Sequence, residues 1–299
     1  MKFRTEYTPE KSRLVIDPEK PVVMAGSCFT QNMAEKMRQH EWEVADPFGT
    51  LYNPLSIGEA FRAMMADDDG KFEDSLFFDG QLWRSWLFDS SFASREKENC
   101  VAEFRKRKSE FESALQGGNL LIVTFGTSIC YFLEGSQNVV GNCHKQPAER
   151  FYRRRLGIEE TALYWQEILR EIKARYPALQ VVFTVSPVRH LKDGFTGNSR
   201  SKAVLQLAIE KICGENDCCH YFPAYEILND DLRDYRFYAS DLVHPSEEGV
   251  AYIWEKFIAT YLDDRGLQRL REGSRTYKAR HHRPMTGALG QPLNDRSLK

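Results

Sequence analysis

Apolar residues run along this chain in two alternating rhythms. Residues 22–25, 120–125 and 181–185 are short, continuous apolar runs rich in β-branched side chains, the pattern of strands buried on both faces. Between and after them, apolar positions recur at helical spacing: Phe29, Met33 and Met37; Ile168 and Ile172; Val204, Leu207, Ala208 and Ile212; and Val250, Ile253, Trp254, Phe257, Ile258 and Tyr261. Each set gives a helix one apolar stripe to bury. Strand then helix, repeated, predicts an α/β fold in which a central parallel sheet is covered by helices on both faces.

Two segments break the rhythm. Residues 72–92 are crowded with aromatics, and residues 76–83 read as a hairpin, because Asp79-Gly80 suits a turn with positive φ at both central positions. This insertion is expected to pack as a satellite core, with a substrate-contacting cap as the alternative. Residues 263–299 are polar, punctuated by Gly and Pro, and carry Arg265, Arg269, Arg271, Arg275, Lys278, Arg280, Arg283, Arg296 and Lys299 against four acids. A mobile, solvated arm is expected there, which divides the chain into a domain at 1–262 and a basic tail at 263–299.

Composition narrows the partners. A formal net charge of −2 over 299 residues gives no bulk electrostatic attraction to nucleic acid, and Tyr277 is the tail's one aromatic, with no nucleic-acid module around it. The opening residues are polar, without the apolar core of a signal peptide, and no stretch approaches the roughly 18 uninterrupted apolar residues of a membrane helix. Seven cysteines, an odd number without a regular framework, fit free thiols in a reducing compartment. The cytoplasm is the expected location.

The chemistry-bearing residues sit at the ends of the predicted strands. The first run enters Gly26-Ser27-Cys28-Phe29-Thr30, and far downstream the chain reads Asp241-Leu242-Val243-His244-Pro245. A hydroxyl needs a base to become a nucleophile at neutral pH and donors to hold the oxyanion that forms. Ser27 is placed at a helix start, where backbone N–H groups lack internal partners. His244 can serve as base, with Asp241 fixing its tautomer. The competing role for Ser27 is a plain helix cap. Ser246, with Glu247 and Glu248 behind it, is expected to cap the helix that follows His244.

Gly26-Ser27-Cys28-Phe29-Thr30 resembles the signature of the GSCFA domain family, within the wider SGNH (GDSL-like) hydrolase group, departing from its usual form in Thr30 for Ala. Residues 124–128, 141–145, 184–190 and 234–244 are similar to the same family. The resemblance implies a flavodoxin-like three-layer α/β/α sandwich and a serine hydrolase that cleaves an ester, an O-acyl carbohydrate or lipid ester, through a Ser27–His244–Asp241 triad, with neither metal nor organic cofactor. An acyltransferase using the same triad is the alternative, and a silent member acting as a binding module is the second. Retention of all three residues favours an enzyme. The SGNH pattern also implies oxyanion donors besides the Ser27 N–H. Gly49 matches the glycine, and Asn142, with Thr127 or Ser128, stands in for the asparagine; Asn53 and Asn198 are weaker choices, as turn residues.

Other residues were weighed against the same background. Cys28 could be a thiol nucleophile, but its side chain is expected to point into the helix away from His244 and to pack as an ordinary cysteine. Cys143-His144 and Cys218-Cys219-His220 lack zinc-site spacing, so no metal site is expected. Arg189 and His190, with Lys192, follow the third run at its carboxyl end, where open α/β sheets bind ligands; they and His144 are candidates for substrate binding.

Overall fold

The computed structural model describes residues 4–281. In chain order its elements are β1 (Val22–Gly26), α1 (Cys28–Arg38), β2 (Val44–Ala45), α2 (Pro54–Met65) and the single turn α3 (Gly70–Glu73). A hairpin of β3 (Leu76–Phe78) and β4 (Trp83–Ser85) precedes α4 (Lys97–Gly117), then β5 (Leu120–Phe125), β6 (Ile129–Leu133), β7 (Val139–Val140) and β8 (Phe151–Arg155). The chain ends with α5 (Ile158–Arg175), β9 (Gln180–Val185), α6 (Gly194–Glu215), β10 (Cys219–Phe222), the short α7 (Ala224–Glu226), α8 (Glu247–Tyr261) and α9 (Asp264–His281).

The main sheet has five strands in the order β10-β9-β5-β1-β2, every pair parallel. Counting only these strands along the chain, the order is 2-1-3-4-5, the flavodoxin-like arrangement whose ligands bind beyond the strand ends where the order reverses, between β1 and β5. Alternate residues of each strand enter separate cores. Val23, Ala25, Leu121, Val123, Val181 and Phe183 pack under α2, α4, α5 and α6, while Val22, Met24, Leu120, Ile122 and Val182 pack under α1, α8 and α9. This is the three-layer α/β/α sandwich.

Several details depart from the sequence expectation. The buried stripe of α6 is Leu205, Ala208, Ile209 and Ile212, and Leu207 is exposed, because two faces of that helix are nearly as apolar and the docking onto α5 selects one. In the β3–β4 hairpin positive φ occurs only at Gly80, which projects freely, while the Asp79 carboxylate accepts from the N–H groups of Gln81 and Leu82. That carboxylate supplies the turn's order without a second left-handed residue. The segment joins the main core rather than forming a satellite, because α4 lies over it: Phe72, Phe88 and Phe92 belong to the cluster under α2 and α4, Phe72 stacks on Phe104 at 4.2 Å between ring centroids, and Phe77 stacks on Trp86 at 3.6 Å. A second small sheet, β7-β6-β8, is antiparallel and was not foreseen.

The expected mobile arm is, through His281, the helix α9. Leu267 and Leu270 join the core beside α1, the Leu270 carbonyl meets His40 Nδ1 at 3.0 Å, and Gly273 lies so close over the His40 carbonyl that a side chain would collide with it. Arg265 and Arg280 are paired with Glu19 and Glu41 at the surface. Two leucines and a glycine, three residues apart along one face, suffice to dock a helix whose other positions are largely polar. The rest of the expected tail, 282–299, lies outside the described residues.

Candidate active site

The carboxyl ends of β1, β5 and β9 and the loop before α8 surround a cleft of about 440 Å³, bordered by Cys28, Tyr52, Asn53, Thr127, Asn142, Cys143, Arg189, His190, Lys192 and His244. It lies at the switch point between β1 and β5, as the sheet order requires.

His244 and Asp241 meet as expected. The His244 Nδ1 is 2.6 Å from Asp241 Oδ2, and the other carboxylate oxygen accepts from the N–H groups of Val243 and His244 at 2.9 and 3.0 Å. These backbone donors, together with the ring, hold the Asp241 carboxyl down at about 2, so it is ionised at any working pH. With Nδ1 donating to the carboxylate, Nε2 has no partner among the described residues and is the basic atom. The turn is tight: Ala239 N donates to His244 O, and Leu242 adopts φ 59. A left-handed leucine costs on the order of 1 kcal/mol, strain that the four bonds around Asp241 and Ala239 offset. Ser246 caps α8 through Gly249 N at 3.2 Å, anchoring the loop from its other side.

Ser27 is placed differently from the expectation. It is the residue before α1, its side chain is 0% exposed, and its Oγ has no hydrogen-bond partner. It makes no hydrogen bond to His244, does not border the cleft, and its side chain makes no capping bond. Ser27 is extended, and Cys28, the first helical residue, is the one at this turn that borders the cleft. Cys28 packs against the core under α1 and α8 as expected, but it is only half-buried and also borders the same cleft as His244. Burial pushes its thiol up, opposed by the backbone N–H groups of Phe29 and Cys28 and by the charge of Lys202; Asp241 pushes it further up.

Lys202, on α6, is 1% exposed, and its ammonium donates to the carbonyls of Gly126 at 2.6 Å and Ser186 at 2.7 Å, beyond the ends of β5 and β9. Burial lowers it to about 7. His190 borders the cleft edge-on to Tyr52, with its Nε2 buried and unpartnered, and burial followed by the Lys202 and His244 charges pushes it down to about 4. It is a neutral imidazole. Arg189 lies over the Tyr238 ring at 4.6 Å, and Lys192 donates to the Tyr131 hydroxyl at 2.8 Å, so both cations reach the rim supported by aromatic rings.

The proposed oxyanion donors separate into two groups. Asn142 borders the cleft; its Oδ1 accepts from His144 N at 2.8 Å, leaving the amide nitrogen uncommitted among the described residues. Asn53 also borders it, while its Oδ1 caps α2 through Ser56 N. Thr127 and Ser128 are tied elsewhere: Gly126 N and Thr127 N donate to the Tyr52 carbonyl, Ser128 N donates to Ser201 Oγ at 2.7 Å, and both hydroxyls bond that same oxygen. Gly49, at φ 66, fits against the Asp89 carboxylate and does not border the cleft. A carboxylate at that position is the wrong neighbour for an oxyanion. Asn198 accepts from His190 N and so holds the loop after β9. His144 is corrected as well: it is buried, with Nε2 at 2.7 Å from Ser85 O and Nδ1 facing Ser90, and it packs against Phe77 and Trp86 rather than substrate.

The GSCFA family model matches residues 21–257, an interval that runs from β1 into α8 and takes in every residue of the cleft. The chain belongs to the GSCFA family. Among solved structures, this GSCFA chain is similar to a family 3 carbohydrate esterase from Clostridium thermocellum, with 10% identity over 85% of this chain and 98% of that one at a TM-score of 0.35. It is similar to a carbohydrate esterase family 3 protein from Talaromyces cellulolyticus, with 9% identity over 85% and 99% at 0.34. An acetyl xylan esterase from Butyrivibrio proteoclasticus shares 9% identity over 82% of this chain and 64% of that one at 0.40. No match is found among curated proteins. Among the described residues no helix is long and apolar enough to cross a membrane.

Sequence reasoning missed Lys202 and Tyr52 and set Cys28 aside. Lys202 carried a readable signal, since it precedes Leu205, Ile209 and Ile212 at steps of three, four and three, which puts a charge on the buried stripe.

Proposed function

We propose that this chain cleaves or transfers the acyl group of an ester through an acyl-enzyme, with His244 as general base and Asp241 as its orienting carboxylate. The nucleophile comes from the turn between β1 and α1, Gly26 to Cys28. The observation that carries the reading is the Asp241–His244 pair, held at 2.6 Å with its free ring nitrogen at a cleft beyond the sheet's carboxyl ends. A base oriented in this way takes a proton from a nucleophile and returns it to the leaving alcohol. Asn142 and Asn53 offer amide N–H groups to the oxyanion, beside the first backbone N–H groups of α1. Arg189 and Lys192 at the rim favour an ester carrying hydroxyls or negative charge in its alcohol portion, such as an O-acylated carbohydrate.

The test is turnover of p-nitrophenyl acetate and of an acetylated xylo-oligosaccharide by the full chain, alone and with a carbohydrate acceptor. Activity should vanish in His244→Ala and fall steeply in Asp241→Asn. Retention of turnover in both variants would remove the pair from the chemistry.

A further inference from the structure

We propose that the nucleophile is the Cys28 thiol, so that the acyl-enzyme is a thioester and Ser27 is a structural residue of the turn. This rests on the ester-transfer reading and names the atom which that reading leaves open.

Access comes first. An attacking atom must reach the substrate's carbonyl carbon, and the Ser27 side chain is fully buried away from the cleft that holds His244. Exposing it would require reshaping the corner where Leu51 N donates to Gly26 O and Thr30 N to Ser27 O. Cys28 needs no such change, because its side chain already borders the cleft together with His244.

The surroundings of the sulfur form the second argument. As the first residue of α1, Cys28 sits where the first backbone N–H groups of a helix have no internal partner, the helix-start environment that favours a thiolate. The charge of Lys202 acts on the same sulfur; this buried ammonium is bonded to two carbonyls and, among the described residues, to no carboxylate. Buried charges are normally paired with an opposite charge; the ionisable group that acts on this one is Cys28. Asp241 from the loop before α8 and Tyr52 from the loop after β2 also act on the sulfur, while His244 and neutral His190 border the same cleft. Burial keeps the resting thiol protonated, so His244 has a proton to remove.

The steps balance without a further reagent. His244 Nε2 takes the thiol proton as the sulfur attacks the ester carbonyl carbon; the tetrahedral oxyanion collapses, the bond from that carbon to the alkoxy oxygen breaks, and the imidazolium protonates the departing alkoxide. Water or an acceptor alcohol, deprotonated by the same imidazole, then attacks the thioester. The thiolate leaves and recovers the proton.

The decisive experiment compares Cys28→Ala, Cys28→Ser and Ser27→Ala for ester turnover and for trapped acyl groups by intact and peptide mass spectrometry, with melting temperatures alongside. Cys28→Ala should lower kcat by at least about 10³-fold, Cys28→Ser should recover little of it, and Ser27→Ala should cost less than about tenfold per folded molecule. The trapped acyl group should be released by neutral hydroxylamine, which cleaves thioesters readily and oxygen esters slowly. Loss of turnover in folded Ser27→Ala with Cys28→Ala still active, or an adduct that resists hydroxylamine, overturns the assignment. Absence of any ester turnover by the unmodified chain is failure of the ester reading instead, and the thiol is then read directly. Iodoacetamide should alkylate Cys28 faster than Cys143, which borders the same cleft, and about tenfold more slowly in His244→Ala; equal rates at the two cysteines, or no dependence on His244, overturn the proposal.

Discussion

Two turns stand side by side at the carboxyl ends of neighbouring strands, Gly26–Cys28 after β1 and Gly126–Ser128 after β5, with Gly26 paired to Thr124. Both begin with glycine and carry hydroxyls. After β5 nearly every polar group is consumed: two N–H groups by the Tyr52 carbonyl, a third and both hydroxyls by Ser201, and the Gly126 carbonyl by Lys202. After β1 the serine hydroxyl has no partner and the thiol faces a cleft beside an uncommitted imidazole nitrogen. The comparison teaches that a group needs both unspent bonding capacity and access to the cleft: the hydroxyls after β5 lack the first, the buried Ser27 hydroxyl lacks the second, and Cys28 has both. A hydroxyl spent inside the fold cannot also stabilise a transition state.

Mutations can break or sharpen this contrast. The largest effect is expected at the base: His244→Ala should lower kcat by about 10⁴-fold, and combining it with Cys28→Ala should cost little more, since members of one catalytic unit are not additive. Thr127→Val, at the tied-off turn, should lose less than about tenfold. An equal loss at Thr127 would erase the contrast. Next comes Asn142→Ala, where kcat should fall by roughly 10²- to 10³-fold if its amide holds the oxyanion. A stability loss of about 1 kcal/mol should accompany it, because its Oδ1 serves His144 N; a near-normal kcat would move the donor to Asn53.

Smaller effects are expected in the scaffold. Ser201→Ala strands the buried Ser128 N–H and two hydroxyls, which should cost about 1–3 kcal/mol in a denaturant titration while leaving kcat per folded molecule near normal. The smallest effect is a pH dependence. Lys202 titrates at about 7 in the folded protein against a usual value of 10.5, so between those values the unfolded chain binds more protons and stability rises with pH. The stability of the unmodified protein relative to Lys202→Met should therefore increase from pH 7 to pH 9, by about 1 kcal/mol per pH unit at most. A flat difference would mean that the two carbonyls hold the ammonium charged throughout.

Much of the fold was legible because the signals were local. Residues 22–25, 120–125 and 181–185 became strands of the parallel sheet, and Ser246 caps α8 as its sequence suggests. Asp241 and His244 were readable as a pair, since three residues of tight turn bring them together without help from elsewhere. The expected arm, by contrast, concealed α9, because Leu267 and Leu270 become a docking face only when α1 and His40 are already in place. His144 looked available in sequence and proved to be held by Ser85 and Ser90, residues more than fifty positions away.

By itself, then, the sequence determined the three central strands of the main sheet, the helices that cover it at α1, α5, α6 and α8, and the Asp241–His244 turn, all consequences of periodicity and short-range geometry. Tertiary structure alone decided which of two adjacent side chains, Ser27 or Cys28, meets the cleft. That choice depends on the angle at which α1 leaves β1 and packs beneath α8: Ser27 is the last extended residue before the helix and is buried at the corner, whereas Cys28 opens the helix at the cleft. It also decided that Lys202 lies buried without a carboxylate, because the charges missing from its surroundings are set by β5 and β9, whose loops come from elsewhere in the chain.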